Sequence, residues 1–330
     1  MSRPTKAIID LQALRHNFEL AQSLAPHSST IPMVKANAYG HGAVEVARAL
    51  APIAPAFGVA SIEEAIDLRD NGITQPILLL EGIFSSDEVS LAAQNNFWLM
   101  VENQPQVEAI INATLARKIK VWLGMDTGMH RLGFQPNEIQ AAYDALSNSH
   151  NVSDDIVITS HFACADDLDS QATSKQIKNF DLHLPKTNNK LSTSLANSAA
   201  ILAWPQAHRD WQRPGFMLYG SSPFVQPQEN ADQLQAVMSF ESAVISLRNI
   251  SAGESVGYTA NWTAQRDSKI ATVTVGYGDG YPRSAPNGTP VLINGVRCPL
   301  VGRVSMDMIT VDVTDLPQVA IGDKTVLWGP

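Results

Sequence analysis

The chain has 330 residues, 45% of them hydrophobic and 17% charged, a composition that argues against disorder and leaves room for one large barrel and a smaller second domain. A formal net charge of -9 argues against nucleic acid or an anionic membrane as the main partner, because both need concentrated basic surface, and leaves a small molecule as the expected ligand. Two distant cysteines, Cys164 and Cys298, give no disulfide framework and no metal-ligand spacing; with no apolar run near the ~18 residues of a membrane span, and a start (Met1-Ser2-Arg3-Pro4-Thr5-Lys6) that meets charge and proline first, a cytoplasmic location is expected.

Residues 1–10 hold a short strand, Lys6 to Asp10, expected to pack with a C-terminal β domain. Leu11 to Ala25 places Leu11, Leu14, Phe18 and Leu20 at roughly helical spacing. The run Ile31-Pro32-Met33-Val34-Lys35 reads as a buried strand that delivers Lys35 into a loop, Ala36-Asn37-Ala38-Tyr39-Gly40-His41-Gly42. Further apolar runs follow at Ala56 to Ala60, Ile77 to Leu80, Phe97 to Val101, Ile119 to Leu123, Ile156 to Thr159, Leu191 to Leu195 and Phe216 to Tyr219. Between them lie helical patterns near Ser61 to Arg69, Asp87 to Asn95, Gln104 to Ala116, Asn137 to Leu146 and Ser170 to Leu182; Ser61 and Glu64 have the spacing of a capping box. Strands that alternate with helices in this number predict a (β/α)8 TIM-type barrel over residues 11–234, with a doubly wound open sheet as the alternative.

The Pro-, Gln- and Asn-rich stretch Ser222 to Leu234 is the expected linker. Beyond it, over 235–330, the period changes to two at Met238 to Arg248, Lys269 to Val275, Pro290 to Leu292, Leu300 to Val313 and Thr325 to Trp328, which predicts a mainly antiparallel β domain. Asn294-Gly295 is a type I′ hairpin signal. Trp98, Trp122 and Trp262 are assigned to packing.

Ligands of parallel α/β folds collect at the C-terminal ends of strands. A strand-end lysine taken alone is most often solvated, so the other strand ends decide what Lys35 is for. They present Tyr39, then Asp126-Thr127-Gly128-Met129-His130-Arg131, Ser160-His161, Ser194 with Asn197 and Ser198, and Arg213-Pro214-Gly215 just before the last predicted strand. This set holds an amine, two arginines, a histidine and small hydrogen-bonding groups, with no carboxylate triad for a metal, and suits an anionic, phosphorylated ligand held by lysine chemistry. Ser194 to Ala200 and the Gly215 region can offer backbone amides to phosphate or serve as ordinary caps.

Together these stretches resemble the alanine racemase family. Pro32 to Gly42 is similar to its pyridoxal-phosphate attachment signature and Asp126 to Gly133 to its second fingerprint; Arg213 to Gly220, Val256-Gly257-Tyr258, Gly276 to Arg283 and Gly302 to Asp307 follow in the family's order. The resemblance spans nearly the whole chain. It implies that Lys35 holds pyridoxal 5'-phosphate covalently and acts as the base on one face of the substrate carbon. Tyr258 would be the base on the other face, entering from the partner subunit of a homodimer. Arg213 would face the pyridine nitrogen with His161 orienting it; Tyr39, Ser198, Gly215 and Phe216, next to Asn197, would hold the phosphate. Arg131, the Met306 backbone and Tyr277 would lie near the substrate, and Tyr277, Tyr281, Arg283, Arg303 and Asp166 match positions lining its path. The implied activity is interconversion of L- and D-alanine, a source of D-alanine for the cell wall, with a serine or broad-specificity racemase, or a non-catalytic pyridoxal-phosphate-binding homologue, as alternatives.

The chain departs from the family's pattern twice. Some members carry a carbamylated lysine seven residues before the arginine matching Arg131; here that residue is Gly124, so another group is expected to orient Arg131. Family members also continue beyond the position of Pro330, so a truncated β domain with an unpaired strand edge is expected.

Overall fold

Short runs of buried, largely apolar residues build the first of two units, Leu11–Gln235. A computed structural model describes residues 3–188 and 190–329; the expectations that rest on Met1, Ser2 and Pro330 fall outside them. After β1 (Lys6–Ile9), which belongs to the other unit, the helix Leu11–Leu24 buries Leu14, Phe18 and Ala21 along one face. The strands are β2 (Ser29–Thr30), β3 (Phe57–Val59), β4 (Ile77–Leu79), β5 (Phe97–Val101), β6 (Val121–Gly124), β7 (Val157–Thr159), β8 (Ser192–Ser194) and β9 (Trp211–Gln212). They pair in parallel in the order β2-β9-β8-β7-β6-β5-β4-β3.

The sheet closes on itself. Met33, beyond the end of β2, bridges Gly58 of β3, with Val34 N donating to Gly58 O at 2.8 Å and Gly58 N to Pro32 O at 3.0 Å. Pro32 has no N–H to give a ladder, which is why the regular strand stops at Thr30 although the chain stays extended. Ile31, Met33, Leu78, Met100, Trp122 and Val157 fill the interior, and the Trp98, Trp122 and Trp211 rings cluster with centroids 5.6 to 6.3 Å apart. Full burial of one such side chain is worth about 1.5–3 kcal/mol, so this layer is a main source of the barrel's cohesion. The fold is the expected (β/α)8 barrel.

Three local expectations are corrected. The last barrel strand is Trp211–Gln212, whereas Phe216–Tyr219 forms a 3-10 turn closed by Gly220 at φ 83. A four-residue apolar run does not distinguish strand from helical turn, and the preceding Pro214-Gly215 breaks the extended path. Arg213 consequently follows its strand and stands at the same end of the barrel as the other candidates. At Ser61 there is no side-chain cap; the Glu64 carboxylate instead accepts from Ala60 N and Ala36 N, both at 2.7 Å. The stretch Ser222 to Leu234 is tied to the barrel, with Gln228 and Asn230 donating to Leu202 O.

The second unit joins residues up to Asp10 with those from Ala236 onward. Its strands are β10 (Met238–Ile250), β11 (Ser255–Val256), β12 (Trp262–Thr263), β13 (Ser268–Val273), β14 (Pro290–Ile293), β15 (Val296–Pro299), β16 (Ile309–Asp312) and β17 (Lys324–Trp328). The main sheet runs β15-β14-β17-β10-β13-β16, with β1 antiparallel to β10. Asn294 and Gly295 both have positive φ, 50 and 79, and make the β14–β15 turn. Leu300 to Val313 is strand only at its end. β17 is interior, hydrogen-bonded to both β10 and β14, so the unpaired edge expected there is not formed. Tyr281 is only 4% exposed and its ring stacks on Trp328, which makes it a packing residue.

Candidate active site

The C-terminal ends of the barrel strands surround a cavity of about 630 Å³ whose wall includes Lys35, Tyr39, Arg131, His161, Asn197, Ser198, Arg213, Gly215 and Phe216, every barrel-borne candidate. Asp166 lines it as well. The residues come from five different strand ends, so only closure of the barrel brings them together.

Lys35 opens a turn of unusual backbone. Ala36, Asn37, Ala38 and Tyr39 all adopt left-handed helical angles, φ 51 to 54. For residues with a Cβ this costs roughly 1–2 kcal/mol each, so the turn needs outside support. The Glu64 carboxylate takes Ala36 N, Asn37 Oδ1 accepts from Ala43 N at 2.8 Å, and the Tyr219 hydroxyl donates to Met33 O at 2.8 Å. Tyr39 and His41 rings flank Tyr219 at 4.8 and 4.5 Å. The result is a braced left-handed turn that sets where the Lys35 and Tyr39 side chains leave the backbone.

Arg213 is 5% exposed and set among neutral oxygens. Its guanidinium donates to Thr159 Oγ1 at 2.9 Å, to Ser160 O at 2.7 Å and to Ser194 Oγ. Burial lowers its pKa to about 10, with Glu102 opposing, so it stays cationic at neutral pH. Among the described residues no hydrogen bond joins the His161 ring to Arg213; the guanidinium bonds to Thr159, Ser160 and Ser194. The His161 ring keeps surface accessible to the cavity but is enclosed by its wall, and burial first, then the charges of Arg213, Arg131 and Lys35, push its pKa down to about 3. It is a neutral imidazole.

Ser198 Oγ accepts from Gly215 N at 3.0 Å and Met217 N at 3.2 Å, while Asn197 caps the next helix through Ala200 N at 3.1 Å. The capping and site readings of this segment are therefore compatible. A Cβ at Gly215 would fall 2.5 Å from Tyr39 Oη, so glycine is what lets the Tyr39 hydroxyl meet this backbone. Hydroxyls of Tyr39 and Ser198, glycine backbone, an amine and a buried guanidinium form a donor set suited to a phosphorylated ring aldehyde.

Arg131 leaves a loop caged by Asp126, whose Oδ1 accepts from Gly128 N, Met129 N and His130 N at 3.0 to 3.1 Å and whose Oδ2 meets His130 Nδ1 at 2.9 Å. Burial acts to raise the Asp126 carboxyl pKa, but the bonds from His130 and Gly128 outweigh it and hold the group below the usual range. Sequence reasoning missed Glu102, whose carboxylate occupies the space where a Gly124 side chain would project. The signal was the glycine itself, in a strand where nothing demands its flexibility. Tyr258, Met306 and Tyr277 belong to the β unit. Tyr258 is 68% exposed on the turn between β11 and β12; Tyr277 N donates to Ser305 O, and Gly278 N to Met306 O, which fixes the Tyr277 and Met306 loops against each other.

A closed parallel barrel whose strand ends gather a lysine, a buried arginine and a glycine corner into one cavity, followed by an antiparallel β unit, defines a class: two-part barrel enzymes. Residues 9–223 match the family description "Alanine racemase, N-terminal domain" and residues 237–330 match "Alanine racemase, C-terminal domain". The chain is 50% identical to a protein named "Alanine racemase, catabolic" from Pseudomonas aeruginosa, over 99% of this chain and 91% of the relative. It superposes on the crystal structure of the biosynthetic alanine racemase of the same organism with a TM-score of 0.94 at 47% identity, covering 99% of this chain and 90% of that one. An alanine racemase from Bartonella henselae, solved with covalently bound pyridoxal phosphate, gives 0.88 at 31% identity, covering 99% and 91%. The chain belongs to the alanine racemase family.

Proposed function

We propose that the protein interconverts L- and D-alanine with pyridoxal 5'-phosphate, as a cytoplasmic homodimer that supplies D-alanine for the cell wall. The observation that carries this reading is the placement of Lys35, on its braced left-handed turn, in one cavity with Arg213, Arg131 and the Tyr39–Ser198–Gly215 corner. Lys35 would hold the cofactor covalently, Arg213 would face its ring nitrogen, and Tyr39, Ser198 and the Gly215 and Phe216 backbone would take its phosphate. When bound, the cofactor withdraws electrons from the α carbon of an amino acid joined to it and makes that proton removable.

The chain's own residues do the rest. Lys35 Nζ takes or returns the proton on one face of the α carbon. The Tyr258 hydroxyl, exposed on its turn and entering from the partner subunit, does so on the other. Two bases on opposite faces invert the centre with little motion of the substrate. Arg131 receives the substrate carboxylate, next to the partner's Met306 backbone and Tyr277. Arg213, sealed by neutral oxygens, keeps its own proton and neither gains nor loses charge during turnover.

The holoprotein is expected to racemise L-alanine in heavy water with deuterium appearing at the α carbon. No exchange with any small amino acid would refute the reading, and exchange of serine as fast as alanine would replace it with a broader racemase. Tyr258→Phe is expected to cut turnover of L-alanine at least a hundredfold while the visible band of the bound cofactor persists; loss of the band would make Tyr258 structural.

A further inference from the structure

The proposed reaction gives Glu102 no task, yet the barrel makes room for it. Glu102 follows the last residue of β5, and Val101 pairs with Leu123 of β6, so Glu102 lies beside Gly124 at the cavity wall. Gly124 is an ordinary strand residue whose φ is not in the left-handed region, and glycine in a strand is less favourable than alanine. What requires it is space: a Cβ there would stand 1.9 Å from Glu102 Oε2 and 2.7 Å from its Cδ. A glycine that marks the close approach of another group is a recurring use of that residue in strands.

The Glu102 backbone is pinned. Its N–H donates to Gln106 Oε1 at 2.8 Å, and Gln106 Nε2 donates to Glu81 O and Ile83 O. Among the described residues its carboxylate forms no hydrogen bond or ion pair of its own. Two guanidiniums act on its charge, Arg213 and Arg131, and Asp126 opposes them. Arg213 is already satisfied by Thr159, Ser160 and Ser194, whereas Arg131 has no hydrogen-bond or ion-pair partner among the described residues. The cation in need of a counter-charge is Arg131.

We propose that Glu102 is a positioning residue, whose carboxylate, seated over Gly124, orients the Arg131 guanidinium to receive the substrate carboxylate. This rests on the role given to Arg131 under the proposed function. An arginine held in place beforehand loses less freedom when the ligand arrives. A carboxylate that merely sat nearby would instead repel an anionic ligand, so the sign of the effect separates the two.

The test is titration of the holoprotein at about pH 8.5, where the Glu102 carboxyl is ionised, with propionate, a carboxylate without an amine, followed by calorimetry in the wild type, Glu102→Gln, Arg131→Gln and the double variant. Glu102→Gln is expected to weaken propionate about tenfold, with the cofactor band retained, and to add nothing in the Arg131→Gln background. Returning the charge close to the same space from the neighbouring strand, with Glu102→Ala and Gly124→Asp together, is expected to recover the affinity. Unchanged or tighter binding in Glu102→Gln, an equal loss without Arg131, loss of the cofactor band, or no recovery in the relocated variant would each overturn the proposal. A wild type that fails to bind propionate would overturn the role of Arg131 and this proposal with it, whereas wild-type binding that Glu102→Gln leaves intact would overturn the proposal alone.

Discussion

Glu102 and His161 share one cavity, and burial drives their titrations in opposite directions. The Glu102 carboxyl is pushed up from 4.5 to about 7, chiefly by desolvation against the pull of Arg213 and Arg131. Between those values the folded chain holds a proton that the unfolded chain has released, so this group makes stability fall as pH rises. His161, pushed down from 6.5 to about 3, does the reverse: across that window the unfolded chain holds the extra proton, and stability rises with pH. Asp126, held below the usual carboxylate range by its loop, adds stability that is lost at the acid end as its carboxylate protonates. In cofactor-stripped protein, Glu102→Gln is expected to steepen the rise of the urea midpoint from about pH 4.5 to 6.5, and His161→Gln to flatten it. Parallel curves for the two variants would contradict this. Lys35, Arg131 and Arg213 were legible in the sequence because each sits in a contiguous run whose residue types are spelled out. Glu102 was not, because its meaning depends on the register of β5 against β6, which no spacing along the chain reveals.

At the scale of elements, two turns do most of the positioning. The left-handed turn after Lys35 is held by Glu64 from the following β/α unit, a tie that local pattern reads as a helix cap because Ser61 and Glu64 have the right spacing. The Arg213–Tyr219 segment reads in the sequence as an arginine leading into a strand; in the structure Arg213 follows a strand and precedes a 3-10 turn, and Trp211–Gln212 is too short to register as a strand of its own. At the Gly215 corner, Gly215→Ala would drive a Cβ to 2.5 Å from Tyr39 Oη. Moving Tyr39 disturbs both the phosphate corner and the Lys35 turn. Cofactor affinity is expected to fall more than about tenfold, read by the cofactor band during dialysis, while the urea midpoint changes little; retained affinity would show that the corner does not hold phosphate.

For the whole molecule, the β/α alternation was enough to predict a barrel, because each parallel strand is a short buried run followed by an amphipathic helix. Closure was not legible, since it depends on Met33 and Gly58 meeting across a Pro32 that breaks the ladder. The β unit was legible from its change of period and the Asn294-Gly295 turn, whereas the interior place of β17 follows from long-range pairing with β10 and β14. The account's central claim is that Lys35 of one chain and Tyr258 of its partner form one site. Mixing Lys35→Ala with Tyr258→Phe chains, each inactive alone, and refolding them together tests it most directly. The hybrid dimer would contain one site with both residues intact, and statistical mixing is expected to restore about a quarter of wild-type activity. A mixture that stays at the background of its two parents, while co-refolded wild-type chains regain full activity, would contradict the claim.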